Sequence, residues 1–269
     1  MARHEFARLL LTGAAGGLGK VLRTRLKPFA RTLRVSDREP LGEAREGEEI
    51  VQCDLADKDA VHRLVEGADA IAHFGGISVE GPFEPILQSN IVGVFNLYEA
   101  ARKHGVTRVV FASSNHVIGF YKQTEKIDAD APMRPDSLYG VSKSFGENLS
   151  RCYFDRYGIE TVCLRIGSSF PEVKDRRMLA TFLSYDDLVE LVRCGLFAPD
   201  VGHTVVFGVS NNSLTWWDNR KAAHLGFKPR DASDAQRARV EAANPLLDPG
   251  NPARVYQGGA FTSAGPFDD

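Results

Sequence analysis

The stretch ARLLLTGAAGGLG, residues 7–19, decides the fold. An apolar run, Ala7 to Thr12, stops at Gly13 and gives way to Gly16, Gly17, Leu18 and Gly19, after which Lys20 to Lys27 repeats with a helical period. A strand that ends in a tight glycine turn and starts a helix makes an anion site, because free backbone N–H groups and the helix dipole converge there. Glycines let a pyrophosphate approach the main chain. The spacing is G-x-x-G-x-x-G, which differs from the G-x-G-x-x-G of long dehydrogenases. Taken alone, the turn also fits an ordinary β-α connection.

Working outward, the same alternation repeats. Arg31 to Ser36 reads as a second strand with Asp37 at its end, where a carboxylate can accept from ribose hydroxyls and repel a 2′-phosphate. That favours NAD over NADP, although Arg38 could instead welcome the phosphate, and a turn residue is the simpler reading of Asp37. Glu39 to Glu49 reads as a solvated acidic loop. Ile50 to Cys53 is a short third strand ended by Asp54 and Leu55, where the carboxylate can meet an adenine amino group or cap the helix Lys58 to Glu66. Ala68 to Phe74 is a fourth strand running into Gly75, Gly76, Ile77 and Ser78, small residues that leave room for a cofactor, and His73 before them reads as a packed strand histidine.

Phe83 to His104 is a long helical pattern whose mid-helix Asn90 calls for a tertiary partner. Arg108 to Ala112, a fifth strand, delivers Ser113, Ser114, Asn115 and His116 to the carboxyl edge, where open α/β sheets bind ligands. Phe120 to Ser137 reads as a loop that covers a site, and Ile159 to Leu164 as a sixth strand ending in Arg165, Ile166, Gly167 and Ser168. Strands alternating with helices across 7–168 predict an α/β fold with a doubly wound parallel sheet. Beyond it, Pro171 to Arg177 is polar, Ser184 caps a helix over Tyr185 to Leu196, Thr204 to Val209 is a strand, and the tail from Asp231 reads as an extended arm. No repeat or long linker appears. The chain therefore reads as one domain, residues 1–170 forming the nucleotide-binding core and 171–269 a smaller substrate-side portion.

Composition narrows the function. A net charge of −2 over 269 residues offers no phosphate-neutralising excess, which argues against nucleic acid or an anionic membrane as the main partner. A small-molecule substrate is expected. Cys53, Cys152, Cys163 and Cys194 lack C-x-x-C spacing and the seven histidines form no H-x-x-x-H pair, the pattern of reduced thiols without structural zinc. Met1 to Arg8 lacks a long apolar run, and no stretch approaches the ~18 residues that span a bilayer, so the chain reads as cytoplasmic.

Tyr139 and Lys143 carry the chemistry. On a helix over 136–157 they lie one turn apart on one face. For a tyrosine to act as a base its pKa must fall from about 10 to near 7, a cost of about 4 kcal/mol. An ammonium about 4 Å away contributes on the order of 4 kcal/mol at an effective dielectric of ~20. The expectation is thus a tyrosine made basic by its lysine, with the Ser114 hydroxyl holding the reacting oxygen.

The order Gly13/Gly16/Gly19, Asp37, Asp54-Leu55, Asn90, Ser114, Tyr139, Lys143 resembles the short-chain dehydrogenase/reductase superfamily in its extended, sugar-nucleotide-epimerase-like branch. Within that branch Ser113 to His116, Ser168 and Asp175 to Arg177 resemble the bacterial uronate dehydrogenases. The resemblance implies NAD-dependent oxidation of a hexuronate, an acidic sugar such as glucuronate or galacturonate, at C1 to the aldarolactone. It implies NAD held by Gly13, Gly16, Gly17, Leu18, Gly19, Asp37, Asp54, Leu55, Phe74, Gly75, Gly76, Asn90, Tyr139, Lys143 and Ile166. Tyr139 would take the C1 hydroxyl proton, and Lys143 would lower its pKa and hold the nicotinamide ribose. Ser78, Ser114, Asn115, His116 and Ser168 would orient the sugar, and Arg177 would form a forked pair with its carboxylate. From the residues alone, Lys174, Arg176 and Arg177 also fit a solvated turn. Relatives of this kind pair through the helices bearing Asn90 and Tyr139, so a homo-oligomer is expected. Two readings compete: a nucleotide-sugar epimerase or dehydratase, disfavoured by the short portion after Ser168, and a non-catalytic NAD sensor, which has no need of the tyrosine, lysine and serine together.

Overall fold

Residues 6–267 are described by the structure, a computed structural model; the N-terminal expectation lies outside them where it rests on residues 1–5. In chain order the elements are β1 (Phe6–Thr12), α1 (Gly17–Arg25), β2 (Ala30–Ser36), β3 (Glu48–Ile50), α2 (Lys58–Val65), β4 (Ala70–His73), α3 (Phe83–Ile86) and α4 (Gly93–Lys103). There follow β5 (Arg108–Ser114), β6 (Ile127–Asp128), α5 (Leu138–Tyr157), β7 (Glu160–Ile166), α6 (Met178–Thr181), α7 (Tyr185–Phe197), β8 (His203–Gly208) and β9 (Trp217–Asp218). Two short helices, α8 (Arg237–Ala243) and α9 (Pro252–Val255), complete the set.

Seven strands form one parallel sheet in the order β3-β2-β1-β4-β5-β7-β8, and β6 pairs with β9 apart from it. A parallel strand covered on both faces must be apolar on both sides. β1 meets that demand: Leu9 and Leu11 enter a core shared with Leu22 of α1 and Leu188 of α7, while Leu10 enters one shared with Val61 of α2, Leu97 of α4 and Tyr153 of α5. The strand order reverses between β1 and β4, which opens a crevice at their carboxyl ends. The doubly wound sheet expected from the sequence is the one observed. No helix among the described residues is long and apolar enough to cross a membrane.

Four local expectations are corrected. The third strand sits at Glu48–Ile50 rather than at 50–53, because Arg23 and Arg34 ion-pair with Glu48 and Glu49 and let two acids enter the sheet. Asp57, not Asp54, caps α2, accepting from Ala60 N. The helical run from Phe83 is broken by a π-helical turn over Leu87–Val92 that carries Asn90. The tail is no extended arm: it folds into α8, α9 and a 3-10 turn over Gly259–Ser263 and packs back toward the carboxyl edge of the sheet.

Candidate active site

The glycine turn is set by steric exclusion. Gly13 has φ of +74°, and a Cβ there would overlap the Phe74 carbonyl; a Cβ on Gly19 would overlap the Gly13 oxygen. The N-terminus of α1 has no side-chain cap and no acid in its first turn, and above Gly17 the space is open. Its amide groups therefore fit a pyrophosphate. Asp37 accepts from Ala15 N at 2.9 Å and from Glu39 N at 3.1 Å, which ties the turn to the end of β2, while Arg38 turns outward to Glu39. Asp54 is exposed, and Leu55 wedges between Gly75 and Gly93, where a Cβ on either would crowd it.

Behind the turn, Thr12 Oγ1 accepts from Gly75 N at 3.1 Å and lies 2.7 Å from His73 Nδ1. His73 is fully buried, and that burial pushes its pKa down to about 3, as suits a packed strand histidine. Asn90 spends its amide on protein partners: Oδ1 accepts from Ile77 N at 2.8 Å, and Nδ2 donates to Ile77 O at 3.0 Å and Ser142 Oγ at 2.9 Å. It thus acts on the site through the loop it holds. Ser78 lies exposed on that loop, and no hydrogen bond among those described joins it to the other candidates.

α5 is brought against β5 by two glycines, since a Cβ on Gly140 would overlap His116 O and one on Gly146 the Phe111 ring. Its first turn is capped twice. Ser137 Oγ accepts from Gly140 N, and the Glu80 carboxylate accepts from Leu138 N and Tyr139 N at 3.0 and 2.8 Å. Tyr139 is buried, and burial raises its pKa to about 12 against the pull of a hydrogen bond with Ser114. Lys143 donates to Ala112 O at 2.8 Å, its nitrogen 5.8 Å from the centre of the Tyr139 ring, and burial lowers its pKa to about 8. The expectation that the lysine by itself lowers the tyrosine pKa is therefore corrected. Burial raises the phenol pKa more than the Ser114 hydrogen bond lowers it, Asp136 adds to the rise, and the Lys143 ammonium is held by the Ala112 carbonyl.

At the far end, Arg177 donates Nε to Gln257 O at 2.6 Å and Nη1 to Ser168 Oγ at 3.3 Å, and Ser168 Oγ lies 2.9 Å from Thr181 Oγ1. With its amide turned to satisfy both neighbours, Asn115 donates to Ile166 O at 3.0 Å and accepts from Arg177 Nη2 at 2.6 Å. Among the described residues no carboxylate comes within ion-pair distance of this guanidinium. His116 Nδ1 lies 2.7 Å from Asp136 Oδ2, and the Phe261 ring stacks on the imidazole at 3.7 Å. Ser114, Asn115, His116, Tyr139, Lys143, Ser168 and Arg177 thus meet at one place.

Asp136, Gln257 and Phe261 were not anticipated. Gln257 is fully buried; it accepts from Trp217 Nε1 and donates to the carbonyls of Lys122 and Glu125. Only Asp136, inside the segment read as covering a site, carried any local signal.

The chain matches the NAD dependent epimerase/dehydratase family over residues 9–185. A protein of Pseudomonas syringae pv. tomato described as uronate dehydrogenase is 64% identical over 98% of this chain and 96% of its own. A uronate dehydrogenase of Pseudomonas putida is 63% identical over 99% of this chain and all of its own. A solved structure of uronate dehydrogenase from Agrobacterium tumefaciens, a tyrosine-to-alanine mutant complexed with NAD, superposes with a TM-score of 0.95 at 53% identity, covering 97% of this chain and 99% of that one.

Proposed function

The chain belongs to the NAD dependent epimerase/dehydratase family, and on that premise we propose that it is a uronate dehydrogenase, oxidising a free hexuronate at C1 to the aldarolactone with NAD as hydride acceptor. Gly13, Gly16, Gly17, Leu18 and Gly19 hold the pyrophosphate, Asp37 the adenosine ribose, and Asp54 and Leu55 the adenine. Phe74, Gly75, Gly76 and Ile166 line the nicotinamide end, with Asn90 fixing the loop between them. Bound NAD supplies the hydride acceptor and a positively charged ring.

Tyr139 takes the C1 hydroxyl proton as hydride leaves the same carbon, with Ser114 holding the reacting oxygen. Burial pushes the Tyr139 pKa up, so the phenol is protonated in the unliganded site. Lys143, anchored by Ala112 O, would hold the nicotinamide ribose. Ser78, Asn115, His116 and Ser168 orient the hydroxyls.

The observation that carries this reading is Arg177, a cation whose hydrogen bonds all go to neutral acceptors. Asp175 and Asp136 act on this buried guanidinium from a distance but neither pairs with it, and a planar carboxylate supplies a direct partner in matching geometry. On the same reading residues 1–170 serve the cofactor and 171–269 the sugar. Copies of the chain pair across α4 and α5, where Phe95, Val141 and Tyr157 are 44%, 48% and 44% exposed. The four free cysteines suit the cytoplasm.

The test is NADH formation with glucuronate, galacturonate, their neutral parent sugars and UDP-sugars. Turnover of the free uronates alone supports the assignment. Turnover of UDP-sugars favours the epimerase reading, and a preference for neutral sugars removes the role given to Arg177.

A further inference from the structure

The His116 imidazole is held at Nδ1 and on one face, with a further aromatic ring beside it. Its Nδ1 faces Asp136 Oδ2 at 2.7 Å, and the Asp136 side chain has no exposure to solvent. The other carboxylate oxygen accepts from Ser137 Oγ at 2.8 Å, a hydroxyl that itself accepts from Gly140 N, so both oxygens of Asp136 act as acceptors. Gly119 and Gly258 close over Oδ2 so tightly that a Cβ on either would overlap it, and Asp136 N donates to His116 O at 3.3 Å. Phe261 stacks on the ring, and Tyr139 meets it edge-on at 5.8 Å.

Charged groups face this ring from three further elements: Arg177 after β7, Glu80 after β4, and Asp136 before α5. Burial outweighs the two acids and holds the imidazole below its ordinary pKa, hence neutral at pH 7. A neutral imidazole has one N–H, and a carboxylate only accepts, so the proton belongs on Nδ1 and Nε2 keeps a lone pair. No hydrogen bond among those described engages Nε2.

We propose that Asp136 is a positioning residue for the sugar site: it fixes His116 as the Nδ1–H tautomer, so that Nε2 is presented as an acceptor for one substrate hydroxyl. The substrate half of this inference rests on the uronate reading above; the proton assignment does not. Specificity follows, because a sugar lacking that hydroxyl leaves the Nε2 lone pair unmatched.

Nitrogen NMR of histidine-labelled wild-type protein reads the tautomer directly. His116 should show a protonated Nδ1 and a bare Nε2, and an Nε2–H signal overturns the proposal without any variant. In Asp136→Asn and Asp136→Ala the ring should shift toward Nε2–H, and kcat/KM for the hexuronate should fall about 10- to 100-fold. For the one monodeoxy uronate lacking the matched hydroxyl the loss should be under about threefold. An equal loss on every monodeoxy analogue, or no change in either readout, overturns the proposal. If the wild type oxidises no uronate, the functional reading alone falls, and the tautomer measurement still decides this one.

Discussion

At the glycine turn the groups offered to a ligand are backbone amides from one short run, Gly13 to Gly19, and steric exclusion fixes their directions. Around Arg177 the groups are side chains, joined by hydrogen bonds that span 20 residues from His116 to Asp136 and 80 residues from Arg177 to Gln257. The first construction is local and indifferent to what lies beyond the pyrophosphate. The second needs the tail folded back onto His116 after β5 and Arg177 after β7. One half can therefore serve many reactions, while the other can be remodelled for a new substrate without disturbing cofactor binding.

The largest effect that would break this division is at Gly19. In Gly19→Ala the new methyl meets the Gly13 carbonyl, so the turn must open; NAD affinity should fall at least ~1000-fold or the protein fail to fold, since a backbone clash of this kind costs more than a few kcal/mol. Calorimetric titration with NAD checks it, and an unchanged affinity would show that the turn does not hold the cofactor.

Arg177→Lys sharpens the comparison from the other side. An ammonium cannot make the fork to Gln257 O, Ser168 Oγ and a carboxylate at once, so kcat/KM for uronate should fall by roughly 100-fold. NAD affinity should stay within about twofold. A matching loss of NAD binding would show that the two halves are one unit.

The smallest effect is on stability and separates function from folding. Lys143 titrates at about 8 when folded, below its ordinary value of 10.5, because burial disfavours the ammonium. Between those values the unfolded chain holds a proton the native chain has lost. The contribution is therefore complete above pH 10.5 and gone below about pH 8. Lys143→Met has no such proton, so relative to wild type it should gain stability at pH 7 by up to about 3 kcal/mol, a margin that shrinks as pH rises toward 10. Melting curves across that range check the sign; a difference independent of pH would mean the amine is not desolvated.

The same division explains what could be read in the sequence. Gly13, Gly19 and the apolar runs Leu9 to Leu11 and Val109 to Phe111 announce themselves because turn geometry and burial act within a few residues. Asn90 was also legible: a poor helix former in mid-helix needs a partner, and Ile77 and Ser142 are it. The strand carrying Glu48 and Glu49 was misplaced because its acids are neutralised by Arg23 and Arg34, distant in sequence. Gln257 and Phe261 stayed invisible, since a glutamine and a phenylalanine in a glycine-rich tail carry no period and acquire meaning only where the tail meets Trp217 and His116. The tyrosine-lysine spacing was right about position and wrong about electrostatics, because sequence shows charge but not desolvation.

The central claim is that the Tyr139 phenol moves the substrate proton in a site whose cofactor half works independently of it. The direct measurement is Tyr139→Phe, assayed for NAD affinity and for NADH formation from uronate in the same preparation. Retained NAD binding with turnover reduced at least ~1000-fold is the expected result. Undiminished turnover would contradict it and assign the proton to another group.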